Sequence, residues 1–292
     1  MGTAVATVAA ASGEVVVADP PLDPVLARRD RRSADALVDL IVRSGAHAVV
    51  NACGRIAGTD EELYDANVAF PAWLCEVLDG RGVRLVHVGS ASELGDPGTT
   101  DPVGEDHPCR PSGAYAATKL DGTRVVRSAA GAGLDAVVAR VFNLAAASVP
   151  PSSPLAQWLS DLSALPPDGG SIEVWWPDTV RDFVRLADAS RVLVDLTTVA
   201  DPPDLVNVCS GVGLAYGRIV EALAGRLGVE ARVVSLDRPG IRAVVGDPTR
   251  LEGCVGRVPL MDVERLAATV LPSVDTEAAG DDPPDGPAAS DR

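Results

Sequence analysis

The stretch Leu85-Val-His-Val-Gly-Ser-Ala-Ser-Glu-Leu-Gly95 runs from an apolar segment into small and hydroxyl-bearing residues. Its apolar part, within Arg84–Val88, is typical of a buried parallel strand, which reads as a continuous run of Val and Leu. The small residues that follow predict a loop at the carboxyl end of this strand. Because open parallel sheets bind ligands at that end of their strands, Ser90 is a candidate site residue.

Short apolar runs and helical segments alternate along the rest of the chain. Further predicted strands are Glu14–Ala18, Ala46–Asn51, Ala136–Val141, Ile172–Trp175 and Leu205–Val208. The predicted helices are Ser33–Ser44, Asp60–Leu78, Ser112–Gly131, Ala187–Thr198 and Ala215–Leu227. Strand–helix–strand alternation with connections of this length predicts an α/β fold with a doubly wound parallel sheet.

Two changes of composition divide the chain. Residues from about 149 to 182 are irregular and rich in proline, and we expect them to begin a smaller lobe that closes over the carboxyl edge of the sheet. Residues 272–292 are acidic and rich in Pro, Gly and Ala, so we expect a disordered tail. The expected organisation is a first domain over 1–148, a second lobe over 149–271 from which some segments return to the first domain, and the tail.

The bulk composition argues against several classes of partner. A net charge of −16 disfavours nucleic acid and anionic membranes as partners. No apolar run reaches the ~18–20 residues that span a bilayer. The five cysteines are odd in number and form no CxxC pair, so we expect reduced thiols, no metal site and a cytoplasmic protein.

The segment Tyr115-Ala-Ala-Thr-Lys119 carries the sharpest chemical signal. Residues four apart share one face of a helix, so the phenol and the ammonium point into the same space. A nearby ammonium favours phenolate, and we therefore expect the pKa of Tyr115 to lie below its usual value of about 10. Alone, this spacing equally fits a surface pair, and Ser90 alone equally fits a helix cap. Strand-end Ser90 followed by Tyr115 and Lys119 is a more specific pattern than any one of its parts.

Other segments occur in a recognisable order around these residues. They are Asp30–Leu37, Val49–Gly54, Asp65–Val68, Glu105–Tyr115, Arg140–Asn143, Arg181–Val184 with Asp188, Asn207–Gly213, Arg238–Pro239 and Val245–Leu251. From Gly2 to about Leu271 the chain thus resembles the extended short-chain dehydrogenase/reductases, or NAD-dependent epimerase/dehydratase family. The resemblance implies a Rossmann-like NAD(P)-binding domain over 1–148, a substrate lobe over 149–271, NAD (or NADP) as cofactor, a nucleotide-sugar substrate and possible homodimers.

The resemblance also assigns roles to individual residues. The catalytic residues would be Ser90, Tyr115 and Lys119. The cofactor contacts would be Gly2, Asp19, Asp30, Asn51, Ala52, Asn67, Tyr115 and Lys119, with Asp19 favouring NAD unless it is only a turn former. The substrate contacts would be Ser90, Asn143, Arg181 and Arg238, since a guanidinium can bond phosphate oxygens in pairs. A solvated surface position is the alternative for both arginines.

The residues after Ser90 bear on the reaction. Dehydratases of the family carry an Asp-Glu pair where this chain has Ala91 and Ser92, so we reject a dehydratase. The chain most resembles the 4-keto-6-deoxyhexose reductases, in which Tyr115 would protonate the nascent alkoxide. A nucleotide-sugar 4-epimerase would use the same three catalytic residues and stays an alternative. A carbonyl or alcohol substrate other than a sugar, a cofactor-free lyase or cyclase, and a non-catalytic binding protein also stay open.

The N-terminus departs from the family pattern. A dinucleotide-binding domain begins with a strand and a Gly-rich turn, whereas Met1–Val5 reads as the last Gly of that motif followed by its helix. We therefore expect the first strand of the sheet to be missing. Either the natural protein starts further upstream, or the phosphate cradle and the redox chemistry have been lost. We prefer the first explanation, because Asp19, Asp30 and the Tyr115–Lys119 pair are all present.

Overall fold

The structure, a computed structural model, describes residues 1–11, 28–148, 150–151, 153–238 and 240–271. Its α-helices are α1 (Gly2–Ala11), α2 (Arg31–Ser44), α3 (Asp60–Tyr64), α4 (Phe70–Leu78), α5 (Ala114–Gly131), α6 (Pro154–Ser163), α7 (Leu186–Asp195), α8 (Tyr216–Leu227), α9 (Thr249–Val255) and α10 (Val263–Val270). Its strands are β1 (Ala48–Asn51), β2 (Arg84–Ser90), β3 (Ala136–Val141), β4 (Asn143–Ala145), β5 (Gly170–Val174), β6 (Val180–Arg185), β7 (Leu205–Val208), β8 (Gly213–Ala215), β9 (Ala231–Ser235) and β10 (Ala243–Val244).

The central sheet has four strands in the order β1-β2-β3-β7, and all of its pairs are parallel. The prediction of an α/β fold with a parallel sheet is therefore confirmed. In the described part of the chain, the edge of β1 that faces away from β2 has no strand partner. The predicted strand Glu14–Ala18 lies outside the described residues, as does the expected tail over 272–292.

Helices cover both faces of this sheet. Leu85 and Val86 are neighbours in β2 but belong to opposite cores, and so do Val138 and Val137 in β3. One core is closed by α1 and α7, and the other by α2, α4 and α5. Burial on both faces explains why these strands read as continuous apolar runs. None of the described helices combines the length and apolarity needed to cross a bilayer.

The second half of the chain builds two smaller sheets. In one, β6 lies between β4 and β10 and also pairs with β8, which is antiparallel to it. In the other, β5 and β9 form a parallel pair. A third apolar core joins β5, α6, α8 and α10. Two segments return to the first domain, since β7 is the outer strand of the central sheet and α7 packs on α1. The expected boundary at residue 148 stays a prediction.

The helix predicted over residues 60–78 contains a π turn, Asp65–Ala69, between α3 and α4. Pro71 has no N–H to donate to the Asn67 carbonyl four residues before it, and the Phe70 N–H reaches back to Asp65 instead. The Asn67 carbonyl faces Gly122 of α5, where an added Cβ would lie 2.0 Å from the oxygen. Helix α5 can therefore pack this closely on the π turn only with glycine at position 122.

We expect Gly122→Ala to lower the free energy of unfolding by about 2–3 kcal/mol, because the new methyl group forces α5 away from the π turn. Gly131→Ala is the matched control at the end of the same helix, where an added Cβ meets no atom within 4 Å. That variant should be neutral or slightly stabilising. Urea denaturation followed by circular dichroism compares the two, and equal unfolding free energies would contradict the close approach.

Candidate active site

A cavity of about 600 Å³ opens at the carboxyl ends of β1, β2 and β3. Its first wall is the loop that follows β1, from Ala52 to Ile56, and its floor is the end of β2 with one face of α5. The second lobe closes the other side with side chains from α6, β6 and α8. This is the edge of the sheet at which the sequence predicts a ligand.

The cavity brings Ser90, Tyr115 and Lys119 together. The Tyr115 hydroxyl donates to Ser90 Oγ at 3.4 Å. The Lys119 ammonium donates to the Val88 carbonyl at 2.6 Å, and Lys119 is only 5% exposed. Ser90 also caps the 3₁₀ turn that follows β2, because its Oγ accepts from the Ser92 N–H at 3.2 Å. The interpretation of Ser90 as a helix cap is therefore confirmed, and the capping hydroxyl also faces the Tyr115 phenol. Its catalytic role stays a prediction.

Burial controls the acid–base state of this group. The pKa of Tyr115 is raised, first by burial and also by the charge of Glu93, while hydrogen bonds with Ser90 and Ser92 oppose the rise. Burial lowers the pKa of Lys119, against the charge of Glu93. The expected lowering of the Tyr115 pKa is therefore wrong for the chain by itself, because desolvation outweighs the hydrogen bonds with Ser90 and Ser92. A phenol in this state is a proton donor at neutral pH.

Two buried asparagines hold the loop that forms the first wall. Asn51 Oδ1 accepts from the Cys53 N–H at 3.1 Å, and its Nδ2 lies 3.0 Å from His87 Nδ1. Asn67 Oδ1 accepts from the Arg55 N–H at 3.0 Å, and its Nδ2 donates to the Arg55 carbonyl at 2.9 Å. Asn67 lines the cavity itself, whereas Asn51 supports the loop from the end of β1.

The residues of this wall fit the nicotinamide half of a dinucleotide. Ala52 and Gly54 line the cavity, and Lys119 offers a cation beside them. Gly54 leaves space, since a Cβ there would lie 3.0 Å from Asn67 Oδ1 and 3.9 Å from the Lys119 ammonium. Small side chains allow a planar ring and a ribose to approach the strand ends closely.

Gly2 and Asp30, two further predicted cofactor residues that the structure describes, do not line this cavity. Gly2 is the first residue of α1, and a Cβ added to it would meet no atom within 4 Å. Asp30 is exposed and caps α2 by accepting from the Ser33 N–H at 2.9 Å. Asp19 lies outside the described residues. Contacts of these three residues with the cofactor stay predictions.

The predicted substrate residues separate into two groups. Asn143 and Arg181 line the cavity. The Arg181 guanidinium lies 5.7 Å from the centre of the Tyr216 ring, donates to the Val180 and Ile241 carbonyls, and has no carboxylate partner among the described residues. Arg238 lies away from the cavity, with its guanidinium 5.5 Å from the centre of the Trp175 ring.

The sequence motifs did not predict a role for Tyr216, Glu93 or Thr123. Tyr216 opens α8 and lines the cavity beneath Arg181. Glu93 and Thr123 do not line the cavity, and the Thr123 hydroxyl donates a hydrogen bond to Glu93 Oε1 at 2.9 Å. The one available signal for Thr123 was its spacing, because it continues the four-residue repeat of Tyr115 and Lys119. No metal-binding cluster of His, Cys, Asp or Glu occurs in the part of the chain that the structure describes.

A buried carboxylate joins the segments that form the lobe side of the cavity. Asp182 Oδ1 accepts from the N–H and the hydroxyl of Ser210 at 2.9 and 2.6 Å. Its Oδ2 accepts from the N–H groups of Gly211 and Gly246 at 2.9 and 3.2 Å. Asp182 follows Arg181 in β6, so this cluster of four hydrogen bonds also fixes the backbone that presents the arginine.

We expect Asp182→Asn to lower the free energy of unfolding by about 2–3 kcal/mol. Either orientation of the new amide points its NH₂ group at a backbone N–H, which then loses its acceptor. Asp121→Asn, at a half-exposed position on α5 that pairs with Arg124, is the matched control and should change stability by less than about 0.5 kcal/mol. Chemical denaturation of the two variants tests this, and equal small losses would contradict it.

Comparison with protein families gives a match over residues 1–209 to the profile described as the NAD dependent epimerase/dehydratase family. The chain is 32% identical over 213 residues to the dTDP-6-deoxy-L-talose 4-dehydrogenase (NAD(P)(+)) of Kitasatospora kifunensis, a match that covers 70% of this chain and 66% of the relative. It is 29% identical over 192 residues to the UDP-glucose 4-epimerase of Streptomyces lividans, which covers 60% and 57%. The chain thus spans less than two thirds of the length of either relative.

Among solved structures, the chain is similar to TunA, described as an NAD-dependent NDP-hexosamine 5,6-dehydratase involved in tunicamycin biosynthesis. The two share a TM-score of 0.74 at 22% identity, over 92% of each chain. At this identity the likeness supports the Rossmann-like fold alone.

Proposed function

Since the chain belongs to the NAD-dependent epimerase/dehydratase family, we propose that it is a nicotinamide-dependent oxidoreductase that reduces the C4 ketone of a nucleotide-linked sugar. The observation that carries this proposal is the contact of 3.4 Å between the hydroxyls of Tyr115 and Ser90, with Lys119 one turn further along α5. The relative from Kitasatospora kifunensis, named as a dTDP-6-deoxy-L-talose 4-dehydrogenase, supports the substrate class.

In this mechanism the chain's own residues handle the proton and the substrate oxygen. A bound NADH would supply the hydride. The Ser90 hydroxyl donates to the substrate oxygen as negative charge develops on it. Tyr115 gives its phenolic proton to that oxygen, and Lys119 stabilises the phenolate that remains. The raised pKa of Tyr115 supports the reductive direction, because a protonated phenol is the form that the reaction consumes.

We assign binding roles by position in the cavity. Ala52, Asn67 and Lys119 would hold the nicotinamide half of the cofactor, while Asn51, which does not line the cavity, would hold the loop that carries Ala52. Asn143 and Arg181 would hold the substrate. The diphosphate of a nucleotide-linked substrate suits Arg181, because a desolvated guanidinium without a carboxylate partner attracts an anion.

For the outer parts of both ligands, Gly2, Asp19 and Asp30 remain the proposed contacts to the cofactor's phosphates and adenosine. Arg238 remains a proposed contact to the nucleotide of the substrate. Its place beside Trp175, away from the cavity, gives this role less support than that of Arg181.

A nucleotide-sugar 4-epimerase is the second candidate, supported by the match to the epimerase of Streptomyces lividans. Both reactions need the same proton donor and the same hydroxyl. They differ in the fate of the ketone, since a reductase consumes one NADH for each ketone reduced, whereas an epimerase converts one sugar into the other with no net use of NADH.

We expect Tyr115→Phe to lower kcat by at least about 100-fold, because it removes the proton donor. The dissociation constant of NADH should change less than about 2-fold. NADH oxidation with a dTDP-linked 4-keto-6-deoxyhexose measures the first quantity, and fluorescence titration measures the second. Tyr64→Phe, at an exposed position, is the matched control and should behave as the wild type. A catalytically normal Tyr115→Phe would reject the assigned role.

Lys119 provides a separate test of cofactor binding, because it is the only lysine in the chain. We expect NADH to protect Lys119 from reductive methylation, since its amine would lie against the ribose of the nicotinamide half. Mass spectrometry of the peptide that contains Lys119 measures the rate, with dTDP alone as the control that should give weaker protection. Methylation unaffected by NADH, together with no fluorescence change, would favour the cofactor-free or non-catalytic classes.

A further inference from the structure

A buried carboxylate lies directly behind the hydroxyl pair. Glu93, in the 3₁₀ turn that follows β2, is 0% exposed. Its Oε1 accepts from the Ser90 N–H at 2.7 Å and from the Thr123 hydroxyl at 2.9 Å. Its Oε2 accepts from Arg140 Nε at 3.3 Å. One side chain therefore contacts the end of β2, the helix α5 and the strand β3.

Thr123, which donates to this carboxylate, lies on the same helix as the Tyr115 phenol, about two turns further along α5. Tyr115, Lys119 and Thr123 follow one another at intervals of four residues, so they lie on one face of α5. Ser90 lies at the other end of the same connection, through its own N–H. Glu93 thus joins the strand end that carries the Ser90 hydroxyl to the helix face that carries the Tyr115 hydroxyl.

The surroundings of Glu93 are shaped to hold it. A Cβ added to Gly89 would lie 2.9 Å from Glu93 Oε1 and 3.2 Å from the Thr123 hydroxyl, so only glycine leaves this space. Arg140 is 1% exposed and supplies the opposite charge. A buried carboxylate is costly without such a partner, and the ion pair at Oε2 leaves Oε1 for the two donors that fix the site.

We propose that Glu93 is a positioning residue, which sets the distance between the Ser90 and Tyr115 hydroxyls through its two hydrogen bonds to Ser90 and Thr123. This inference rests on the proposed function, in which both hydroxyls act on one substrate oxygen. Misplacement of a reacting group by 1 Å can cost about 100-fold in rate. The proposed reaction therefore requires that the distance between the Ser90 and Tyr115 hydroxyls stays fixed.

The experiment compares Thr123→Val, which removes the hydroxyl but keeps the shape, with Thr123→Ser, which keeps the hydroxyl. We expect Thr123→Val to lower kcat by about 10-fold, with KM and the dissociation constant of NADH within about 2-fold of the wild type. Thr123→Ser should stay close to the wild type. Thr198→Val, an exposed position beyond the end of α7, is the control for the same substitution away from the site.

A second readout needs neither cofactor nor substrate. In protein labelled with 3-fluorotyrosine, ¹⁹F NMR follows the titration of the Tyr115 phenol, whose signal is the one lost in Tyr115→Phe. Glu93, whose charge acts on the phenol, and the cavity residues Lys119 and Arg181 are the same in both Thr123 variants. We therefore expect the pKa of Tyr115 to rise in Thr123→Val, because its hydrogen bond with Ser90 weakens, and to stay unchanged in Thr123→Ser.

The two readouts decide the proposal together. An unchanged kcat, an unchanged titration of Tyr115, or equal effects of Thr123→Val and Thr123→Ser would overturn it. If Thr123→Val does not fold, Glu93→Asp decides, since it keeps the charge opposite Arg140 but shortens the side chain and should also raise the pKa of Tyr115. Failure to bind NADH counts against the proposed function alone, because the ¹⁹F titration runs without it.

Discussion

The candidate site depends on how closely α5 packs against the carboxyl end of β2. Two glycines make this contact possible, since Gly122 leaves room for the Asn67 carbonyl and Gly89 leaves room for the Glu93 carboxylate. The Lys119 ammonium then reaches the Val88 carbonyl across the same contact. A shift of α5 by the thickness of one methyl group would separate the helix that carries the phenol from the strand that carries the hydroxyl.

Burial at this contact disfavours the charged forms of Tyr115 and Lys119. Desolvation favours the neutral phenol and the neutral amine, and it outweighs the hydrogen bonds of Tyr115 with Ser90 and Ser92 and the charge of Glu93 beside Lys119. Glu93 has the opposite effect on the two, because its charge disfavours phenolate but favours the ammonium. The outcome is a phenol that keeps its proton until a more basic oxygen arrives beside it, which is the behaviour required of a general acid.

Periodicity was enough to predict the strands of the central sheet, the helix that carries Tyr115 and Lys119, and the strand end that carries Ser90. It could not show that Glu93 is buried, because a lone Glu in a polar stretch reads as a surface residue until an arginine from another strand is known to face it. The predicted lowering of the Tyr115 pKa was wrong for the same reason, since the sequence shows the nearby lysine but not the burial of the phenol. Arg181 and Arg238 look alike in sequence, and only the folding of the lobe separates them.

Two buried carboxylates, Glu93 and Asp182, stabilise opposite ends of the cavity through hydrogen bonds. Glu93 fixes the reacting end through three donors from the end of β2, α5 and β3. Asp182 fixes the lobe end through four donors, and because it follows Arg181 in β6, it also fixes the cation that faces the cavity. Hydrogen bonds to a buried carboxylate fix the direction of each donor, which apolar packing does not do. The two ends of the cavity are therefore held by separate buried carboxylates.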